Sequence, residues 1–133
     1  MNRFQRSLYL LIFIIIPAVI SAKDGYPRNT HIDVIHYGFS LSLNDSTDRI
    51  EGRSTILVKY LAHTDSLSFD LSNQGRDGKG MIVTNVTISG KTVAWNHRHD
   101  KLTFFSGKAD NDTVEISVFY KGIPADGLII SKN

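Results

Sequence analysis

The sequence predicts an all-β domain, an antiparallel β-sandwich or saddle-like sheet of about seven or eight strands, preceded by a signal peptide. Three observations carry this. Apolar residues recur at every second position in one segment after another, the period of a strand with one face in a core. Turn clusters rich in Asn, Asp, Ser and Gly separate those segments at short intervals. Beyond residue 22, no segment repeats its apolar residues with a helical period.

The first 22 residues stand outside the domain. Arg3 and Arg6 precede a run from Leu8 to Ile20 that is apolar except for Tyr9 and Pro17, and Ser21-Ala22 follows. A basic start, an apolar stretch and small residues at its end are the order of a secretory leader. The run is shorter than the roughly 20 residues a membrane span needs, so export is the reading and an uncleaved anchor the alternative. Setting Arg3 and Arg6 aside from the 15 basic residues leaves as many as the 13 acidic ones. Residues 23–133 are therefore neutral overall and carry no basic face, which argues against a nucleic-acid partner. They contain no cysteine, so an exported domain must hold together by its core alone, and a thiol nucleophile, a thiolate metal site and a lipid anchor on Cys are excluded.

The strands follow in order. Residues 23–30, KDGYPRNT, form an extended lead-in. In DVIHYGFSLSL the side chains of Tyr37, Phe39, Leu41 and Leu43 alternate with Gly38, Ser40 and Ser42, which predicts a first strand with this row packed in the core. The cluster from Asn44 to Asp48 turns the chain. Ile50, Ile56, Val58 and Tyr60 then share one face with Gly52 and Ser54, while Glu51, Arg53, Thr55 and Lys59 take the wet face. Leu67, Phe69 and Leu71 give a third strand. The loop SNQGRDGKG follows, and Ile82, Val86 and Ile88 mark a fourth strand that ends at Ser89-Gly90-Lys91. Val93 and Trp95 continue a hairpin, Leu102 and Phe104 begin another strand, and Val114, Ile116, Val118 and Tyr120 give the last clear alternation. Leu128-Ile129-Ile130 opens like one more strand. The expectation is a natural protein that continues past Asn133, with a terminal edge strand as the alternative.

Candidate chemistry is sparse. His97 and His99, with Asp100, place two imidazoles on one face of an extended chain, as metal ligands would need; the bland reading is a polar hairpin. His31, Asp33 and His36 form a second cluster, but strand geometry sends His36 to the face opposite His31 and Asp33. That favours a role at the start of the strand. No serine sits in a G-x-S-x-G elbow, and GRDGKG at residues 75–80 lacks the Walker pattern. Sequons at Asn44, Asn85 and Asn111 could carry glycans in a eukaryotic secretory route, although Asn44 and Asn111 fall in turns where Asn is expected anyway. Trp95 reads as packing rather than a binding platform.

Taken together, Asp33 with His36-Tyr37 and Leu41-x-Leu43, then Ile50-Glu51-Gly52 with Ile56-Leu57-Val58, then Leu67-Ser68-Phe69-Asp70-Leu71, then Val83, Val86 and Ile88, and last Tyr120-Lys121-Gly122, form an ordered set. In this order the chain resembles the N-terminal domain of the aminopeptidase N and leukotriene hydrolase family of zinc metallopeptidases, the gluzincins. The resemblance spans roughly residues 30–130. It implies a saddle-like β domain, residues 23–133, incomplete at its C-terminus and packed against a following catalytic domain. In such enzymes that following domain carries a Gly-x-Met-x-Asn loop and an H-E-x-x-H helix, with a distal Glu completing the zinc site.

Neither motif occurs here, and the five histidines, His31, His36, His63, His97 and His99, form no H-E-x-x-H. No catalytic, cofactor-binding or metal-ligating residue is therefore assigned, and zinc is expected only in the absent catalytic domain. The chain alone is expected not to be an enzyme. Its expected partner is that catalytic domain of the same polypeptide, with peptide substrates met only through it, no nucleic acid and no stable membrane span. The expected location is periplasmic or extracellular. This reading also predicts an apolar face, built partly by Leu41 and Leu43, that lacks its cover. The alternative is a stand-alone secreted β-sandwich module that binds a protein or glycan, with a closed core and exposed aromatics on one face. A small metal-dependent enzyme using His97 and His99 is the third reading.

Overall fold

The computed structural model describes residues 29–44, 46–108 and 112–126. The leader read at residues 1–22, the terminal run from Leu128 to Ile130 and the sequon Asn111 lie outside the described residues. Eight strands and no helix are present among the described residues: β1 (Ile32–Ser42), β2 (Ile50–Tyr60), β3 (Thr64–Asp70), β4 (Gly80–Ile88), β5 (Lys91–Thr92), β6 (Trp95–Arg98), β7 (Lys101–Lys108) and β8 (Thr113–Ile123). All of their pairings are antiparallel. They form a five-stranded sheet in the order β1-β2-β8-β4-β5 and a three-stranded sheet in the order β3-β7-β6.

The sheets pack face to face through one cluster. Val58 and Tyr60 of β2, Val86 of β4 and Ile116 of β8 come from the large sheet, and Leu67 of β3 with Leu102 and Phe104 of β7 from the small one; all are buried to within 1%. Phe69 stacks on Phe104 with ring centroids 5.9 Å apart, and Trp95, opposite Phe104 in the ladder, packs on the same cluster. Tyr60 is fully buried, and its hydroxyl has no hydrogen-bond partner among the described residues. Burial pushes its phenol above the ordinary value, and the Ser106 side chain pulls it the other way.

Two interruptions of the period-two pattern have a physical cause. In β1 the ladder slips between Val34 and His36, so Ile35 is an extra residue. In β4 it slips between Val83 and Asn85, and the extra residue, Thr84, turns its hydroxyl to donate to the Phe119 carbonyl at 3.2 Å. A β-bulge advances the side-chain phase by one residue. Inward positions therefore run Ile32, Val34, then Tyr37 in β1, and Val83, then Val86 and Ile88 in β4. The Val-x-x-Val-x-Ile spacing in the sequence is the trace of that bulge. Ile82, which the sequence places with Val86, points outward and is 39% exposed.

Tight turns set the remaining registers. Ser89 and Gly90 both have positive φ between the paired residues Ile88 and Lys91, as a two-residue type I′ hairpin requires. Val93 and Trp95 do not continue one hairpin, because the chain changes sheet between β5 and β6.

Candidate functional site

The residues singled out in sequence for metal chemistry have structural roles instead. His99 and Asp100 form the two-residue turn between the paired Arg98 and Lys101, with φ of 53° and 57°. His99 is therefore not on the extended strand that carries His97, and the expected facing pair does not form. His97 lies 2.7 Å from the Leu71 carbonyl through Nε2. Asp100 and Asn73 lock the turn to the loop 72–79: the Asn73 amide donates to the Asp100 carboxylate at 2.7 Å, and the Asp100 amide donates to the Asn73 side-chain oxygen at 2.6 Å. The Asn73 side-chain amide then donates to the His97 carbonyl at 3.0 Å. The bond to the Asp100 carboxylate, short and charge-assisted, is of the stronger kind.

His31, Asp33 and His36 form no metal-binding group, although the bulge at Ile35 turns His36 to the outward face that Asp33 shares, not to the opposite face expected. His31 sits in the turn before β1, donates its amide to Asn29 Oδ1 at 2.9 Å and accepts from Leu61 through its carbonyl at 2.8 Å. Asp33 pairs with Lys59, and His36 follows the bulge opposite Leu57. Among the described residues no group of three His, Cys, Asp or Glu is placed to hold a metal ion. Asn44 caps its own turn by accepting the Ser46 amide at 2.7 Å, and Asn85 lies within β4.

The feature that stands out is an opening between the two sheets. The core-facing side of β2 holds Tyr60, Val58 and Ile56 under the small sheet, but further along it holds Ser54 and Gly52, which fill little space. Opposite them in β1 stand Phe39 and Leu41, on the same face of the large sheet. The small sheet does not reach them. Tyr37, Phe39, Leu41 and Leu43 are 47%, 69%, 51% and 56% exposed. Their expected burial in the core is thus not what the structure shows; the row faces inward but no described residue covers it. Tyr37 and Phe39 stack in parallel with centroids 6.1 Å apart.

This geometry leaves a groove of about 910 Å³. Ile32, Val34, Tyr37 and Phe39 of β1 form one side, with Ile56 and Val118 beneath; Phe69, Leu71 and Leu102 form the other. Polar groups sit at its rim: Asp33, Asp70 and Lys101, with Lys101 Nζ 3.9 Å from the Asp70 carboxylate. Tyr120 closes one end. Its ring occupies the space above Gly52, its cross-strand partner, where a Cβ would collide with the ring. Two pairs along, Ile50 faces Gly122, whose missing side chain admits the Gly80 backbone. The sequence pairs Ile50-x-Gly52 and Tyr120-x-Gly122 are thus two large-against-small contacts across one ladder. The Ser54 hydroxyl donates weakly to the Tyr120 hydroxyl at 3.4 Å.

Ser54, Phe69, Leu71, Lys101 and Tyr120 were not singled out as site residues by sequence reading. The available signal was small residues, Gly52 and Ser54, in phase with large apolar ones on a core-facing strand. The groove holds apolar and hydroxyl groups with one acid–lysine pair at its edge. It suits the burial of an apolar surface rather than acid–base or nucleophilic chemistry.

No protein-family model matches the sequence, and no curated protein matches it. Solved structures do match in fold. An M1 zinc metallopeptidase from Deinococcus radiodurans superposes with a TM-score of 0.58 at 21% identity over 71% of this chain and 21% of its own. A variant of an M1 zinc metallopeptidase from Deinococcus radiodurans gives 0.60 at 19% over 77% of this chain and 23% of its own. A two-domain M1 zinc metallopeptidase variant bound to L-tryptophan gives 0.59 at 20% over 72% of this chain and 21% of its own. At these identities the likeness is one of fold. The chain spans about a fifth of the length of the structures it matches.

Proposed function

We propose that this chain is a non-catalytic β domain of an exported zinc metallo-aminopeptidase, the part that packs on a catalytic domain and shapes access to its cleft. The observation that carries the reading is the uncovered inward row of Tyr37, Phe39, Leu41 and Leu43 beside the open groove. A face with the side-chain pattern of a core and the exposure of a surface is the mark of a missing partner. Covering the exposed half of a Leu or Phe side chain contributes about 1 kcal/mol, so a domain seated over the whole row would add to the stability of both. The fold likeness to part of each M1 zinc metallopeptidase supports the same reading. A self-contained binding module would close its core, and the open groove weighs against that alternative, while the exposed Tyr37–Phe39 pair is what it expects.

In this reading the chain's own residues bind no zinc and touch no scissile bond. They exclude water from one side of the cleft and limit its width, while a following domain supplies the metal and the activated water. Export, through the apolar leader, would place the enzyme where peptides from outside the cytoplasm reach it.

The test is hydrolysis of aminoacyl anilides by two proteins, the 133-residue chain and the same chain joined to the coding sequence that follows Asn133. The expected result is no release by the first and chelator-sensitive release by the second. Chelator-sensitive release by the 133-residue chain would overturn the non-catalytic role. A continuation without H-E-x-x-H would overturn the assignment to a peptidase.

A further inference from the structure

We infer that β1 is also a self-pairing edge, through which two copies of this chain join into a two-fold dimer with one continuous ten-stranded sheet. β1 is the outermost strand of the large sheet, so one side of its backbone has no ladder partner among the described residues. Proteins protect such edges with charged side chains, prolines, bulges or short length. β1 has these devices only in its first part, where Asp33 and the bulge at Ile35 lie. From His36 to Leu43 it carries no Asp, Glu, Lys, Arg or Pro.

The stretch is also complementary to itself. Antiparallel pairing about a two-fold axis at Phe39 sets Phe39 against Phe39 of the second copy, and Tyr37 against Leu41. All three point to the inward face, which both copies then present on the same side of the joined sheet. Aromatic and aliphatic cross-strand pairs of this kind are favourable. Set side by side in this way, Phe39 against Phe39 and Tyr37 against Leu41 cover each other's flanks and leave their inward ends open. The backbone bonds of the new ladder add to these contacts. The pairing is independent of the peptidase reading, because it needs only the free edge and the row beside it.

The experiment is sedimentation velocity on the full chain across a range of concentrations, with three variants whose folding is checked by circular dichroism. The expected result for the unaltered chain is a concentration-dependent shift to twice the monomer mass. Phe39→Lys and Leu41→Lys, at exposed positions, weaken that shift at least tenfold. Phe105→Lys, at an exposed aromatic of the other sheet, leaves it unchanged. A monomer at every concentration overturns the pairing and leaves the face to another domain or to residues 127–133. Open-ended oligomers, or a dimer unaffected by Phe39→Lys, overturn it equally. A dimer of this chain that is lost when the following domain is attached keeps both this inference and the peptidase reading. A dimer without any such domain in the parent keeps only this one.

Discussion

The two ends of the large sheet's inward face are built from the same alternation and meet opposite fates. At one end Val58, Val86 and Ile116 lie under Leu67, Leu102 and Phe104 and are buried to within 1%. At the other, Tyr37, Phe39 and Leu41 have equally apolar side chains in the same inward phase and stand 47% to 69% exposed. Pattern determines which way a side chain points; only the reach of the opposing sheet determines whether anything covers it. Three strands do not cover the whole face of five, so the alternation in β1 ends in an apolar row that no described residue covers.

Substitutions separate the two ends. Phe104→Ala empties the closed end and is expected to cost about 4 kcal/mol, read as a lower midpoint of urea unfolding at unchanged slope. At the boundary, Gly52→Ala drives a methyl into the Tyr120 ring, with an expected loss of about 1.5 kcal/mol. The same change in a Tyr120→Ser background should cost clearly less, and a double-mutant cycle measures the difference. Additive losses would show that the ring does not rest on Gly52. Asn73→Ala removes the side-chain acceptor of the Asp100 amide and the donor to the His97 carbonyl, while the backbone bond to the Asp100 carboxylate stays, for an expected loss of about 1 kcal/mol. Amide exchange of the loop 72–79 should quicken with it. Smallest of all, Phe39→Ser at the open end should change stability by no more than about 0.5 kcal/mol while raising solubility. A loss like that of Phe104→Ala would mean that the row is already covered.

Much of the fold was legible because antiparallel strands record burial in period two. Ile56, Val58 and Tyr60 in β2 and Val114, Ile116 and Val118 in β8 are buried as their alternation predicts. Bulges were harder to read. An extra residue at Ile35 or Thr84 looks in sequence like an error of phase, and Ile82 was accordingly assigned to the inward side. Which strands share a sheet was not readable either, since the chain crosses between sheets after β2, β3, β5 and β7. The candidate site was less legible still. His97 and His99 looked like a metal pair because two-residue spacing on a strand puts side chains on one face, but the turn begins at His99 and its left-handed backbone breaks that geometry. The groove was visible only indirectly, as Gly52 and Ser54 standing where large residues would fill a core.

If a following domain packs on the inward row of β1, as proposed, that row is a surface in this chain and a buried contact in the longer one. Hydroxyl-radical footprinting reads this directly. On the monomer, at a concentration low enough to keep it so, Tyr37 and Phe39 should be modified far faster than Phe104, and attaching the following domain should protect them. Protection of Phe39 to the level of Phe104 in the lone monomer, or continued exposure in the extended chain, would contradict the account.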